Sequence, residues 1–498
     1  MVKGKPLAKV ALLATLVLLL GLKTEPQPVV DLMRQGDAYQ SRKEYSAAID
    51  TYQQAVALRP GSAVPLLRIG QVYLAQRRYE PAGEAFGQAY KLGAEEEALA
   101  GLGSAYAGLG YEEQAIKYWR QALSLDPGDA AVRYRLGRIY LQQGDFQAAQ
   151  QEFEALIAQD EHSPAAHYQM GLLLAGRDLQ QATEHLTKAA GDSENNFPVC
   201  SGWICNPAVG PPDLQSGGSG SYSFTDAEEM LAALEEVERE GNEARAVALL
   251  GVAYLERGEF SLAKRQFERA IQLNPDYAEA YAYLGHVQGQ LGQHEAGWDN
   301  LEKAVTLEPD SVLAHYFLGV TYRSLGMWKE ARMRFWRAVN LDPTNAALCV
   351  DLAQAYLEEP DYVAAEGWFR AAVQREPEDA RFQLFLAQFY VDHVYKVDEE
   401  GVPAALKAVE LDSESAMAHD VLGWAYYLTG RWREARTHLQ RALVLDPDLA
   451  RAHYHLGALY AARGDVEAAQ REYQRAIDLD SEGFYRQRAE KALKDPRE

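Results

Sequence analysis

The sequence predicts an all-α fold, a solenoid of stacked helical hairpins. In this chain of 498 residues one pattern of apolar, glycine and alanine positions recurs, and adjacent copies are about 34 residues apart, a period typical of repeat architectures. Within each copy the apolar positions follow helical spacing. Prolines end several copies at the same position, as at Pro275, Pro309 and Pro343. The composition, 48% hydrophobic and 24% charged, is that of a folded chain.

Many copies have a Leu-Gly-x-x-Tyr segment followed by an Ala-x-x-x-Phe-x-x-Ala segment, as in Leu250-Gly251…Tyr254…Ala263…Phe267, with local deviations such as Ala353 in place of the glycine in the ninth copy. This pattern resembles the tetratricopeptide repeat, and the resemblance implies a right-handed α-solenoid of helix-turn-helix units. About twelve copies can be placed, at residues 29–62, 63–95, 96–129, 130–163, 164–190, 244–277, 278–311, 312–345, 346–379, 380–415, 416–449 and 450–483.

The residue types at the repeated positions have physical reasons. Gly137 and its equivalents are small because two helices approach closely there, and Ala149 sits at a similar crossing. Tyr140 and Phe153 are expected to fill the space between helices. The closing prolines cannot continue the preceding helix, so they end it before the next copy begins.

The copies divide into two arrays. We expect a first array of five repeats at 29–190, a loop at 191–224 and a second region at 225–483, followed by a C-terminal capping helix within 484–498. The loop is rich in Gly, Pro, Ser and Asn. In the second region, Thr225-Asp226-Ala227-Glu228 is a capping box that opens a helix before seven further repeats.

Residues 1–28 are predicted to target the protein to a membrane. Lys3, Lys5 and Lys9 precede an apolar run that ends at Leu22, and residues 7–22 form the candidate hydrophobic helix. An uncleaved signal anchor is favoured, which makes a single-pass cell-membrane protein with its repeats on the extracytoplasmic side. A cleaved signal, giving a secreted or periplasmic protein, and a buried helix are the alternatives.

Composition and motifs argue against several functions. The net charge of −23 disfavours nucleic-acid binding. The sequence has no phosphate-binding, dinucleotide-binding or nucleophile-elbow motif, so neither an enzyme nor a cofactor or metal site is predicted. Several histidines recur at the fourth position of their copies, which favours a structural role. Cys200 and Cys205 lie in the loop, where a disulfide, half of a metal site and free thiols remain alternatives.

The resemblance implies that partners bind in the concave groove, at positions 2, 5, 9 and 12 of each copy. We call these positions the groove stripe. The family's carboxylate-clamp positions carry Ala, Leu, Val or Tyr here, which disfavours capture of a peptide's C-terminal carboxylate. The candidate binding residues on the stripe are Tyr134, Arg138, Tyr168, Tyr316, Arg323, Trp424, Tyr427, Arg451 and Tyr454.

The predicted function is a non-catalytic, membrane-tethered scaffold that binds protein or peptide segments in this groove. Aromatic side chains and arginine supply much of the binding energy at protein interfaces. A carbohydrate-binding or accessory subunit of an envelope polysaccharide or secretion system is the alternative. A third hypothesis is self-association through the ends of the solenoid.

Overall fold

The computed structural model describes residues 27–191, 224–480 and 483–494. Over these residues the chain forms 26 α-helices and one short π-helix, without a β-strand. The all-α repeat architecture predicted from the sequence is therefore confirmed. The predicted N-terminal hydrophobic helix, Cys200 and Cys205 lie outside the described residues.

The first array consists of five helical hairpins. Its helices are α1 (Gln27–Ser41), α2 (Tyr45–Leu58), α3 (Val64–Ala75), α4 (Tyr79–Lys91), α5 (Glu95–Gly108), α6 (Glu112–Leu125), α7 (Ala130–Gln143), α8 (Phe146–Gln159), α9 (Pro164–Ala175) and α10 (Leu179–Gly191).

A single helix, α11 (Phe224–Arg239), precedes the second array. The helices of that array are α12 (Glu243–Glu256), α13 (Phe260–Leu273), α14 (Ala278–Gln290), α15 (His294–Leu307), α16 (Val312–Ser324), α17 (Trp328–Leu341), α18 (Ala346–Leu357), α19 (Tyr362–Arg375), α20 (Ala380–Asp392), α21 (Val402–Leu411), α22 (Ala416–Leu428), α23 (Trp432–Leu445), α24 (Ala450–Ala462) and α25 (Val466–Leu479). The π-helix Val397–Gly401 precedes α21, and α26 (Phe484–Lys494) follows α25.

The glycine of the Leu-Gly motif lets the two helices of a hairpin meet. A Cβ atom on Gly137 would lie 2.7 Å from Cε1 of Phe153, whose side chain is completely buried. Gly251 with Phe267 repeats this arrangement. Any side chain larger than the single hydrogen of glycine would displace the phenylalanine ring. The glycine and the phenylalanine therefore form one packing unit.

Helix ends follow local chemistry. The side chains of Ser311 and Ser415 accept hydrogen bonds from backbone N–H groups three residues ahead and so begin α16 and α22. The turn inside many hairpins needs a left-handed residue, and Gly326 supplies it with a φ of 70°. The capping side chains and the turn glycines recur at the repeat period, so helices begin and end at equivalent positions in successive copies.

The first helices of the copies form the inner layer. In several copies, contacts between successive first helices, such as α14 with α16 and α20 with α22, are more extensive than those between successive second helices. The closer approach on this side makes it the concave face of the solenoid.

The two arrays share one hydrophobic core, which extends from Leu99 to Val287. Helix α11 packs against both α10 and α12. The hydroxyl of Tyr254 donates a hydrogen bond of 2.6 Å to the carbonyl oxygen of Leu172 across the junction. The second array therefore continues the stack of the first.

Among the helices that the structure describes, none combines the length and the apolar character needed to cross a lipid bilayer.

Candidate functional site

The predicted groove residues of the first array lie at the junction with the second array. Arg138 Nη1 is 2.6 Å from Glu259 Oε1, and both side chains are largely buried. Arg138 also donates a hydrogen bond to Gln169, which in turn donates one to Tyr134. Tyr168 is only 6% exposed. These residues therefore connect the two arrays and present little side-chain surface to a partner.

Tyr316 and Arg323 lie on α16, in the middle of the second array. The Tyr316 ring packs against Phe317 and Phe335, and burial raises the pKa of its hydroxyl. Arg323 Nη1 lies 3.4 Å from Asp351 Oδ1, and its guanidinium lies over the Phe335 ring. Both side chains are half-buried, so part of each remains accessible on the concave face.

Trp424 is the centre of an aromatic cluster at the C-terminal end of the groove. The rings of Tyr427 and His455 both stack on Trp424, with centroid distances of 4.5 and 4.2 Å and nearly parallel planes. Tyr454 and Tyr485 contact His455 at steeper angles. We call Trp424, Tyr427, Tyr454, His455 and Tyr485 the aromatic ledge.

A charged network lies beneath the aromatic ledge. Asp420 is completely buried, and its two carboxylate oxygens lie 2.8 Å from His455 Nδ1 and 2.7 Å from Arg451 Nε. Arg451 also contacts a second carboxylate, since its Nη2 atom lies 2.8 Å from Asp392 Oδ1. The network joins α20, α22 and α24, so it links three successive copies.

The electrostatics of this network favour a charged Asp420 and a neutral His455. Burial alone raises the pKa of the Asp420 carboxyl, but His455 and Arg451 outweigh burial and hold the pKa below its usual range. Burial lowers the pKa of His455, which Asp420 only partly opposes. A neutral imidazole that donates from Nδ1 to Asp420 fits this arrangement, and it fixes the His455 ring against Trp424.

The structure brings together Trp424, Tyr427, Arg451 and Tyr454, which are four of the nine candidate residues of the groove stripe. The predicted residues Tyr316 and Arg323 lie earlier in the second array, where they contact Phe317, Phe335 and Asp351. Asp392 was missed because it follows the stripe position at the end of α20. The sequence contains a signal for the Asp420–Arg451 pair. An aspartate stands at position 5 of one copy and an arginine at position 2 of the next.

The histidines at the fourth position of their copies pack inside hairpins. The Nε2 atoms of His315, His419 and His453 lie about 3 Å from backbone carbonyl oxygens six residues earlier. His419 Nδ1 also lies 3.0 Å from His438 Nδ1 on the second helix of the same hairpin. Within the described part of the chain, no group of three or more His, Cys, Asp or Glu side chains is arranged to hold a metal ion.

Comparison with protein families identifies the repeats. One model described as a tetratricopeptide repeat matches residues 112–171 and 329–389, and a second matches 278–311 and 450–482. A model described as a TPR repeat matches 36–76, 251–292 and 423–464. Together these segments cover more than half of the sequence. The chain belongs to the tetratricopeptide repeat family.

Individual relatives are distant. The chain is 25% identical over 192 residues to the heat-shock protein cognate co-chaperone sgt12 of Aspergillus fumigatus, a match that covers 38% of this chain and 45% of that protein. The chain thus spans less than half the length of this relative.

Solved structures with similar folds include yeast Tom70, with 18% identity, a TM-score of 0.39 and coverage of 94% of this chain and 95% of that one. A tetratricopeptide repeat protein from Parabacteroides merdae has 14% identity and a TM-score of 0.41, and covers 52% of this chain and 100% of its own.

Proposed function

We propose that this protein is a non-catalytic scaffold that binds a peptide or protein segment on the concave face of its second array, at the aromatic ledge. The observation that carries the proposal is the stack of Tyr427 and His455 on Trp424, fixed from below by the buried Asp420. Rigid aromatic side chains lose little conformational entropy when they bind. The repeat family, whose members generally bind other proteins, supports the same function.

The aromatic ledge favours a protein segment over a carbohydrate. A sugar ring stacks on an open aromatic face, whereas the rings of Tyr427 and His455 already stack on the indole of Trp424. The edges of this stack, with Tyr454 and Tyr485 beside it, suit apolar side chains of an extended or helical segment. We therefore define the partner as a protein segment that carries such apolar side chains.

A peptide-display selection tests the proposal. Random peptides are selected on the full chain, and their affinities are compared with those for Trp424→Ala and Trp336→Ala. Trp336 is the matched control because it is 52% exposed on the second helix of another hairpin, away from the groove. We expect Trp424→Ala to weaken the selected peptides at least about tenfold and Trp336→Ala to leave them unchanged. Equal effects of both substitutions, or no enriched peptide, would overturn the proposal.

We further propose that residues 7–22 tether the scaffold to a membrane, with the repeats on the extracytoplasmic side. The apolar run and the three lysines before it support this orientation. Membrane fractionation of the full chain and of Leu18→Arg, followed by protease digestion of intact cells, tests it. Release of the variant and digestion of the repeats are expected, and protease-resistant repeats in intact cells would contradict the orientation.

The Cys200–Cys205 disulfide stays a prediction, which mass spectrometry without reductant checks.

A further inference from the structure

The arginines of the groove stripe are already paired within the chain. Five arginines occupy stripe positions in the twelve copies, and no lysine does. Each of the five lies within ion-pair distance of a carboxylate, in the pairs Arg138–Glu259 (2.6 Å), Arg245–Glu240 (3.3 Å), Arg323–Asp351 (3.4 Å), Arg381–Asp379 (2.6 Å) and Arg451–Asp420 (2.7 Å).

The arginine at the aromatic ledge is held by two carboxylates. The Arg451 side chain is 11% exposed and contacts two carboxylates, Asp420 from the preceding copy and Asp392 from the copy before that. An acidic partner would have to displace these short contacts to reach the guanidinium. Breaking such a buried pair leaves an uncompensated buried charge, which is strongly unfavourable, so Arg451 is a poor receptor for a carboxylate.

The exposed charge of the network beneath the ledge is the Asp392 carboxylate, and the exposed Arg488 lies over the ring of Phe484, which precedes Tyr485 in the chain. In this network two carboxylates, those of Asp392 and Asp420, face the single guanidinium of Arg451. Asp392 is 46% exposed and uses only Oδ1 on Arg451, so its carboxylate remains within reach of a ligand. Aromatic rings beside an exposed carboxylate are a favourable environment for an ammonium or guanidinium group.

We propose that the segment bound at the aromatic ledge is basic, with lysine or arginine beside its apolar anchors. This inference rests on the proposed function and adds the charge of the partner. The occupant is a segment of another protein whose cation pairs with Asp392 while its apolar neighbours pack on the edges of the ledge. The net charge of −23 supports the same partner, since long-range attraction favours a basic segment and repels an acidic one.

The test uses three fluorescein-labelled 12-residue peptides with the same leucines, in which the remaining positions are lysine, serine or glutamate. Fluorescence anisotropy measures their binding to the full chain and to Asp392→Asn. Asp310→Asn is the control, because Asp310 is also an exposed, ion-paired aspartate but lies in a turn between copies. The expected order of affinity is lysine, serine, glutamate, and Asp392→Asn should weaken the lysine peptide about three- to tenfold while Asp310→Asn does not.

The outcomes separate the two proposals. Equal losses for Asp392→Asn and Asp310→Asn would mean diffuse attraction to an acidic surface and would overturn the basic-segment inference. Trp424-dependent binding of the glutamate or serine peptide in preference to the lysine peptide would also overturn it, while the peptide scaffold stands. If no peptide of any charge binds in a Trp424-dependent way, both proposals fail.

Discussion

Ser46 in the first repeat donates two hydrogen bonds to Asp478 in the twelfth, one from its backbone N–H (3.1 Å) and one from its hydroxyl (2.6 Å), both to Oδ1. Gln474 donates to the same hydroxyl, and Lys43 Nζ lies 2.5 Å from Asp448 Oδ2. The two ends of the solenoid therefore contact each other within one chain. The contact joins the second helix of the first hairpin, α2, to the second helix of the last hairpin, α25.

Chemical cross-linking checks this end-to-end contact. A zero-length carbodiimide reagent joins an amine to a carboxylate only when they touch, so we expect an amide between Lys43 and Asp448. In a mixture of isotopically light and heavy protein, the cross-linked peptides should be all light or all heavy, because both ends come from one chain. Asp478→Ala should reduce the yield. Mixed-isotope products would show instead that the ends join different chains.

The crossing of α14 and α15 depends on two glycines. A Cβ atom on Gly285 would lie 2.6 Å from the carbonyl oxygen of Gly297, which is backbone and cannot rotate away. We expect Gly285→Ala to destabilise the protein by about 1–3 kcal/mol, measured by urea unfolding. Gly289, in the same helix, has no atom near its added methyl group. Gly289→Ala should be neutral or stabilising by up to about 1 kcal/mol, and equal losses in both variants would contradict the packing.

The paired histidines make stability depend on pH. Burial, and next the neighbouring His419, lower the pKa of His438 below its ordinary value of 6.5, so the folded state binds the second proton less readily than the unfolded state. This contribution to stability is complete above about pH 6.5 and is lost as the pH falls toward the lowered pKa. Denaturant midpoints measured between pH 8 and 5 should therefore fall on acidification.

The twelfth repeat supplies the matched variant for this experiment. There Glu472 occupies the position of His438, and its carboxylate oxygen lies 2.7 Å from His453 Nδ1. His438→Glu removes the imidazole whose pKa is lowered by burial, so the loss of stability on acidification should be smaller than in the wild type. A larger loss in the variant would contradict this account.

The fold followed from the sequence because its determinants are local and repeated. Gly137 and Phe153 belong to the same copy, so their spacing predicted the contact that the structure shows. The burial of Tyr168 and the contact between Ser46 and Asp478 were not predictable in this way. Both depend on how small rotations between copies accumulate, and on the packing of α11 between the two arrays, which no single copy encodes.

The site was predictable only in part for the same reason. The stripe positions identified Trp424, Tyr427 and Tyr454, which lie on two consecutive first helices. Asp392 lies 59 residues before Arg451, and it reaches this arginine because the curvature of the array brings α20 close to α24. A pattern defined within one copy does not contain that contact.

Asp420 supports the aromatic ledge from inside the protein. Its removal leaves Arg451 and His455 without their buried partner, and breaking such a pair costs about 3–5 kcal/mol. We expect Asp420→Ala to destabilise the C-terminal repeats by about that amount, measured by hydrogen exchange of α22 and α24. Asp392→Ala should cost much less, because Asp392 is exposed. Equal effects would show that the buried contacts do not hold the ledge.

Site-specific photo-cross-linking tests the peptide-binding scaffold most directly. A photoreactive phenylalanine derivative replaces Tyr427 in one full-length protein and Trp336 in another, and each is irradiated with the lysine peptide. The account predicts an adduct at position 427 that excess unlabelled peptide suppresses, and none at position 336. An adduct at position 336 and none at position 427 would contradict it.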